Sequence, residues 1–155
     1  MKIAIASDHA GFEVKRYLVE KLKKEYPVID FGCFSEESCD YPDHAYKVAL
    51  AVSKKEVDFG VLICGTGVGM SIVANKIKGV RAALCYSEEV VSLAREHNNS
   101  NIICLPSRVK INGEKITSEK LYCWIKVFLK TNFSREDRHK RRVEKIELIE
   151  KNNFK

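Results

Sequence analysis

The sequence predicts an α/β fold, with a five-stranded parallel sheet, helices on both faces and a helical extension at the C-terminus. Three observations predict it. Strand-like and helix-like segments alternate through most of the chain. The third strand-like run has almost no polar residue from Val61 to Cys64, as suits the centre of a sheet covered on both sides. Residues with chemistry to offer gather where strand-like runs end, and open α/β sheets bind ligands beyond the carboxyl ends of their strands.

Ile3–Ser7 reads as a buried strand. Phe12–Lys24 reads as a helix, because Val14, Leu18 and Leu22 recur every four residues on one face. Pro27–Phe31 is a second short strand, ended by Gly32. Asp43–Ser53 is a helix with Ala45, Val48, Ala49 and Val52 on its apolar side. Asp58–Cys64 is the third strand and runs into a glycine-rich turn, followed by a helix over Val68–Asn75. Arg81–Tyr86 and Asn101–Leu105 read as the fourth and fifth strands, with a helix over Glu88–Glu96 between them. Ser118–Lys130 and Arg135–Lys151 read as helices in a last region without strands. Val143, Ile146, Leu148 and Ile149 form an apolar stripe on the final helix, which needs the protomer's own core or a partner subunit to cover it.

The chain has 155 residues, 45% apolar and 31% charged, which fits one domain spanning residues 1–155. That mixture excludes a mainly disordered chain, a collagen and a simple coiled coil. A chain of this size buries roughly 70% of its unfolded surface and needs no disulfide staples. No apolar run approaches the roughly 20 residues of a membrane span, so no membrane partner is expected. The chain starts at once with a strand-like run and has no apolar core of a signal peptide, so the expected address is cytoplasmic. Cys33, Cys39, Cys64, Cys85, Cys104 and Cys123 are scattered, without the two-residue spacing of a zinc ribbon or a thioredoxin-type pair. Small buried apolar side chains are the expectation for most of them. The net charge is 27 − 21 = +6, and residues 131–155 hold eight Lys/Arg against five Asp/Glu. A solvated helix, an anion site or a nucleic-acid site would each fit that bias.

Asp8-His9-Ala10-Gly11 follows the first strand, Cys39 to His44 the second, Cys64 to Ser71 the third, and Ser107-Arg108 the fifth. His97-Asn98-Asn99 precedes the fifth. All five loops are expected to converge on one edge. In the loop Cys64–Ser71, Gly65, Gly67 and Gly69 remove side chains, so backbone N–H groups can approach an oxygen-rich ligand. Cys64 stands just before a helix N-terminus, a setting that lowers a thiol pKa. A tight turn after a core cysteine is the plainer reading. The loop lacks the Gly-Lys-Ser/Thr of a P-loop, and Met70 breaks the dinucleotide fingerprint. His9 beside Asp8 and His97 beside Asn98 are candidate functional histidines, whereas His44 reads as structural. Arg138 and Arg142, four apart, share a helix face and can clamp a phosphate between two guanidinium forks.

Taken together, Asp8-His9-Ala10-Gly11, Asp40-Tyr41-Pro42, Cys64-Gly65-Thr66-Gly67-Val68-Gly69, Gly79-Val80-Arg81-Ala82 and Glu96-His97-Asn98 resemble the ribose-5-phosphate isomerase B family, which also holds the galactose-6-phosphate isomerase subunits. The resemblance runs from Lys2 to about Ile149, and it is the order and spacing of the motifs that make it specific. It implies a Rossmann-like αβα sandwich, no metal and no organic cofactor, and a homodimer or a dimer of dimers with active sites shared between subunits. The basic helix of residues 131–155 would then lie at the dimer interface.

Carried over by position, the resemblance implies that Cys64 removes the proton from C2 of the open-chain pentose phosphate. Thr66 would help protons move between O1 and O2. The backbone of Gly65, Gly67, Val68 and Gly69, with Ser71, would hold the developing enediolate. Asp8 and Tyr41 would bind sugar hydroxyls. His97 would open the furanose ring and Asn98 would bind beside it, both from the other subunit. His9, Arg108, Arg138 and Arg142 would surround the phosphate. Met70 stands where some members carry a carboxylate base, which leaves Cys64 as the candidate. Glu136 and Asp137 put acid beside the clamp, where Arg135 or Arg141 could substitute for Arg138.

The expected reaction is thus interconversion of D-ribose 5-phosphate and D-ribulose 5-phosphate, in the non-oxidative branch of the pentose phosphate pathway. A six-carbon sugar phosphate isomerase, a cysteine hydrolase using Cys64 and His97, and a phosphosugar sensor or RNA-binding protein are the alternatives. Residues 135–151 carry no aromatic ring besides His139, whereas single-strand readers interleave aromatic with basic residues, so no nucleic-acid partner is expected.

Overall fold

A computed structural model describes residues 1–153, so the last two residues of the expected domain and of the basic helix lie outside the described residues. Five strands, β1 (Ile3–Ser7), β2 (Val28–Asp30), β3 (Phe59–Cys64), β4 (Ala82–Leu84) and β5 (Ile102–Pro106), form one sheet in the order β2-β1-β3-β5-β4. Every pairing is parallel, and β3 is central, with Val61 opposite both Ile5 and Ile103. From β1 the chain goes first outward to β2 and then back past β1 to β3. That reversal opens a crevice beyond the ends of β1 and β3, where such sheets bind ligands.

Side-chain alternation along the strands builds two cores. Ile3, Ile5, Val61, Ile63, Ile103 and Leu105 face α1 (Phe12–Leu22), α4 (Glu88–Asn98) and α5 (Ser118–Lys130). Ala4, Ala6, Leu62, Cys64, Ile102 and Cys104 face α2 (Tyr41–Ser53) and α3 (Val68–Ala74). The second face is built from smaller residues, and α2 answers with Ala45, Ala49 and Ala51. A Cβ at Gly60 would stand 2.8 Å from Val48 Cγ1 and 2.9 Å from Ile102 Cγ1, so this helix lies close on the sheet. The αβα sandwich expected from sequence is present, and among the described residues no helix is long and apolar enough to cross a membrane.

The differences from the sequence reading lie at element ends. The second and fourth strands are shorter than Pro27–Phe31 and Arg81–Tyr86. Helix α2 starts at Tyr41, because Pro42 fits its first turn. Helix α4 runs to Asn98 and is stopped by Asn99 in the left-handed conformation. The final helix, α6 (Asp137–Asn153), begins two residues late, after Arg135 takes a positive φ of 57°. Between β5 and α5, where the sequence reading placed no element, lies a hairpin, β6 (Lys110–Ile111) and β7 (Glu114–Lys115), turned by Asn112-Gly113 with φ of 52° and 82°. On α6 only His139 and Val143 are buried, and Leu148 and Ile149 remain about three-fifths exposed (57% and 61%).

Candidate active site

Asp8 closes the end of β1. Its carboxylate accepts the Gly11 N–H at 3.0 Å and caps a single 3-10 turn, His9–Gly11. A Cβ on Gly11 would stand 2.7 Å from Ile63 Cγ2 and 2.9 Å from the Ile63 carbonyl oxygen. Glycine at this position therefore lets the β1 loop lie directly against β3. The Asp8 side chain is nearly buried beside that contact.

Cys64 ends β3 at 5% exposure, and its Sγ accepts the Gly67 N–H at 3.1 Å. Gly67 has a φ of 78°, and a Cβ there would stand 2.7 Å from Leu84 Cδ1 and 3.1 Å from the Leu105 carbonyl carbon. Conformation and space both demand glycine. Thr66 is exposed at the loop tip; its hydroxyl accepts the Val68 N–H at 3.2 Å, and its carbonyl accepts the Tyr86 hydroxyl at 2.7 Å. Ser71 donates to the Val68 carbonyl at 2.8 Å. Tyr41 lies on Gly69, where a Cβ would come 2.6 Å from Tyr41 Cζ. Gly65, Gly67, Val68 and Gly69 thus form a backbone loop beside a shielded thiol and next to Tyr41, with the Gly67 and Val68 N–H groups bound to Cys64 Sγ and Thr66 Oγ1. Such donors stabilise negative charge that develops on a substrate oxygen.

Ser107 ties the loops together, a role that sequence reasoning missed. Its N–H donates to the Cys64 carbonyl at 2.9 Å, and its Oγ lies within hydrogen-bond distance of the Cys64 and Ala10 carbonyls. The Arg108 N–H donates to the Gly65 carbonyl at 3.0 Å, and the exposed Arg108 side chain borders a cavity of about 770 Å³ between α1 and the hairpin. His9 Nδ1 lies 3.3 Å from both the N and the O of Cys39, which holds its ring against the β2–α2 loop. Burial, and then the adjacent Cys33 thiol, push the Cys39 thiol up to about 11. Among the described residues one trio, Cys33, Cys39 and His44, brings its thiol sulfurs and a ring nitrogen within 4.8 Å of one another. His44, read from sequence as structural, has its Nδ1 3.3 Å from the Phe31 carbonyl.

Four of the five loops expected at one edge do meet there. The fifth does not. Helix α4 returns antiparallel to the strands, so His97 and Asn98, in its last turn, lie at the amino end of the sheet. The His97 ring packs 4.1 Å from His139 on α6, and the Ser134 N–H donates to the Glu96 carbonyl. His139 is 2% exposed and its Nδ1 lies 2.7 Å from Ser134 Oγ. Burial first, then the charges of His97 and Arg138, hold its pKa below the usual histidine value. Arg138 and Arg142 flank His139 on the exposed side of α6, and Arg138 Nε donates to Glu136 at 2.9 Å. Within one chain, Asp8, His9, Tyr41, Cys64 to Ser71 and Arg108 form one group, and His97, Asn98, Arg138 and Arg142 form another.

A family model described as ribose/galactose isomerase matches residues 3–146. The chain is 43% identical over 150 residues to ribose-5-phosphate isomerase B of Escherichia coli, covering 96% of each chain. The structure of ribose-5-phosphate isomerase B from Clostridium thermocellum superposes with a TM-score of 0.91 at 46% identity, covering 98% of this chain and 99% of that one. The Mycoplasma genitalium ribose-5-phosphate isomerase B, solved with bound ribulose-5-phosphate, superposes with a TM-score of 0.87 at 45% identity, covering 97% of this chain and 96% of that one.

Proposed function

The chain belongs to the ribose/galactose isomerase family, and we propose that it interconverts D-ribose 5-phosphate and D-ribulose 5-phosphate through ring opening and an enediolate, with Cys64 as the base. The observation that carries this reading is the loop from Cys64 to Gly69, where a shielded thiol sulfur accepts the Gly67 N–H at the start of α3. Removing a proton from carbon next to a carbonyl places negative charge on oxygen, and a fixed donor aimed at that oxygen lowers such a barrier by about 3 kcal/mol. Cys64, as thiolate, takes the C2 proton of the open-chain aldose. The electron pair moves to O1, a proton passes from O2 to O1 with Thr66, and the Cys64 thiol protonates C1, which restores the thiolate. Asp8 and Tyr41 hold sugar hydroxyls, and Ser71 supports the enediolate end of the loop.

His97 opens the furanose ring and Asn98 binds beside it, both from a second copy of the chain. His9 and Arg108 of one copy and Arg138 and Arg142 of the other surround the phosphate. Two features support this homodimer with shared sites. The two groups of residues stand at opposite edges of one protomer, and Ile146, Leu148 and Ile149 leave an apolar stripe open on α6. Residues 1–155 act as one domain, with 131–155 at the interface, in the cytoplasm where the free cysteines stay reduced. The test is formation of ribulose 5-phosphate from ribose 5-phosphate by purified protein with chelator present. Turnover is expected. No turnover by folded, dimeric protein, or turnover of six-carbon phosphates alone, would overturn the reading.

A further inference from the structure

From the grouping of Cys33, Cys39 and His44 we propose a binding site for a thiophilic divalent cation of the zinc class, with two thiolates and one imidazole nitrogen as protein ligands and water as the fourth. The three come from separate points of the β2–α2 connection: Cys33 after β2, Cys39 six residues on, and His44 in the first turn of α2. Their ligating atoms already lie within 4.8 Å of one another. Zinc–sulfur bonds of about 2.3 Å and zinc–nitrogen bonds of about 2.0 Å place tetrahedral ligands roughly 3.5–3.8 Å apart. The remaining contraction is small, and the intervening Phe34–Ser38 segment is exposed.

The surroundings fit ligand roles. The Cys33 N–H donates to the Ser7 carbonyl at 2.7 Å, which fixes this ligand to the end of β1. The Cys33 thiol donates to the nearby Ser35 carbonyl, a contact that a metal replaces. His44 Nδ1 lies 3.3 Å from the Phe31 carbonyl. With its proton there, the ring is oriented and Nε2 keeps its lone pair, the arrangement metal-bound histidines use. Two sulfurs and one nitrogen favour zinc over magnesium or calcium, which take oxygen ligands. On binding, each thiol loses its proton to solvent and forms a metal–sulfur bond. The cation would fasten the loop that touches His9 and leads into Tyr41.

The test is a cobalt titration of the reduced, full-length wild-type protein, which reads metal binding and not turnover, so its failure leaves the proposed isomerase intact. We expect a thiolate-to-cobalt charge-transfer band saturating at one ion per chain and erased by added zinc. The band should be lost in Cys33→Ser, Cys39→Ser and His44→Gln, and kept in Cys64→Ser and Cys123→Ser. A wild-type spectrum without that band overturns the site whatever the variants do. So does a band that survives in Cys39→Ser and disappears in Cys64→Ser.

Discussion

The rings of His97 and His139 pack 4.1 Å apart at the amino end of the sheet, the edge opposite the Cys64 loop. His139 is buried, and its pKa lies below 6.5 chiefly through that burial, with His97, Arg138 and Arg142 adding positive charge and Glu136 opposing them. Unfolding therefore lets this histidine take up a proton more readily. Its contribution to stability is full above about pH 6.5 and is lost as the pH falls below that value. Denaturation midpoints of wild-type and His139→Gln at pH 7.5 and 5.5 check this, with a smaller drop expected in the variant.

Gly67 combines a positive φ of 78° with a Cβ position 2.7 Å from Leu84 Cδ1. Gly67→Ala should cost about 1–3 kcal/mol in the denaturation midpoint, through left-handed strain and crowding together. It should also turn the amide away from Cys64 Sγ, so turnover should fall in protein that remains folded at the assay temperature.

Gly69 makes room for the Tyr41 ring. Gly69→Ala sits in a partly exposed helix turn, so stability should change little, while the tyrosine must move. On the proposed role of Tyr41 in sugar binding, a displacement of about 1 Å should lower kcat/KM for ribose 5-phosphate by up to roughly a hundredfold. An unchanged kcat/KM would remove Tyr41 from sugar binding.

Much of this arrangement was readable in the chain itself. Valine, isoleucine and alanine runs alternating with four-residue periodicity in Phe12–Lys24 and Asp43–Ser53 lead directly to the parallel sheet, and the glycines around Cys64 mark the loop where β3 ends. The hairpin at Asn112-Gly113 carried its own signal, since that dipeptide favours the positive φ both residues adopt. The edge of His97 could also have been read: a helix between two parallel strands must end at the amino edge of the second. Ser107 was illegible, because its role depends on two carbonyls 97 and 43 residues away. The Cys33, Cys39 and His44 trio was equally hidden, since its spacing matches no zinc motif and only the fold of the β2–α2 loop closes it.

The separation of Cys64 from Arg138 and Arg142 within one chain predicts complementation. Cys64→Ala and Arg138→Ala/Arg142→Ala should each be inactive at low substrate. Refolded together, half the dimers are mixed and each mixed dimer has one intact site, so activity should recover to about a quarter of wild-type. No recovery, despite mixed dimers visible by native mass spectrometry, would argue against sharing.

Proton abstraction by Cys64 is tested most directly by exchange. Ribose 5-phosphate deuterated at C2 is incubated with wild-type and Cys64→Ala in ordinary water, with chelator present, and loss of deuterium is followed by NMR. Wild-type protein should clear the label from C2 as ribulose 5-phosphate forms. The variant should do so on the order of 10²–10⁴ times more slowly, the usual contribution of a positioned base, while retaining its fold. Clearance at near wild-type rate in folded Cys64→Ala would contradict the assignment of Cys64 as the base.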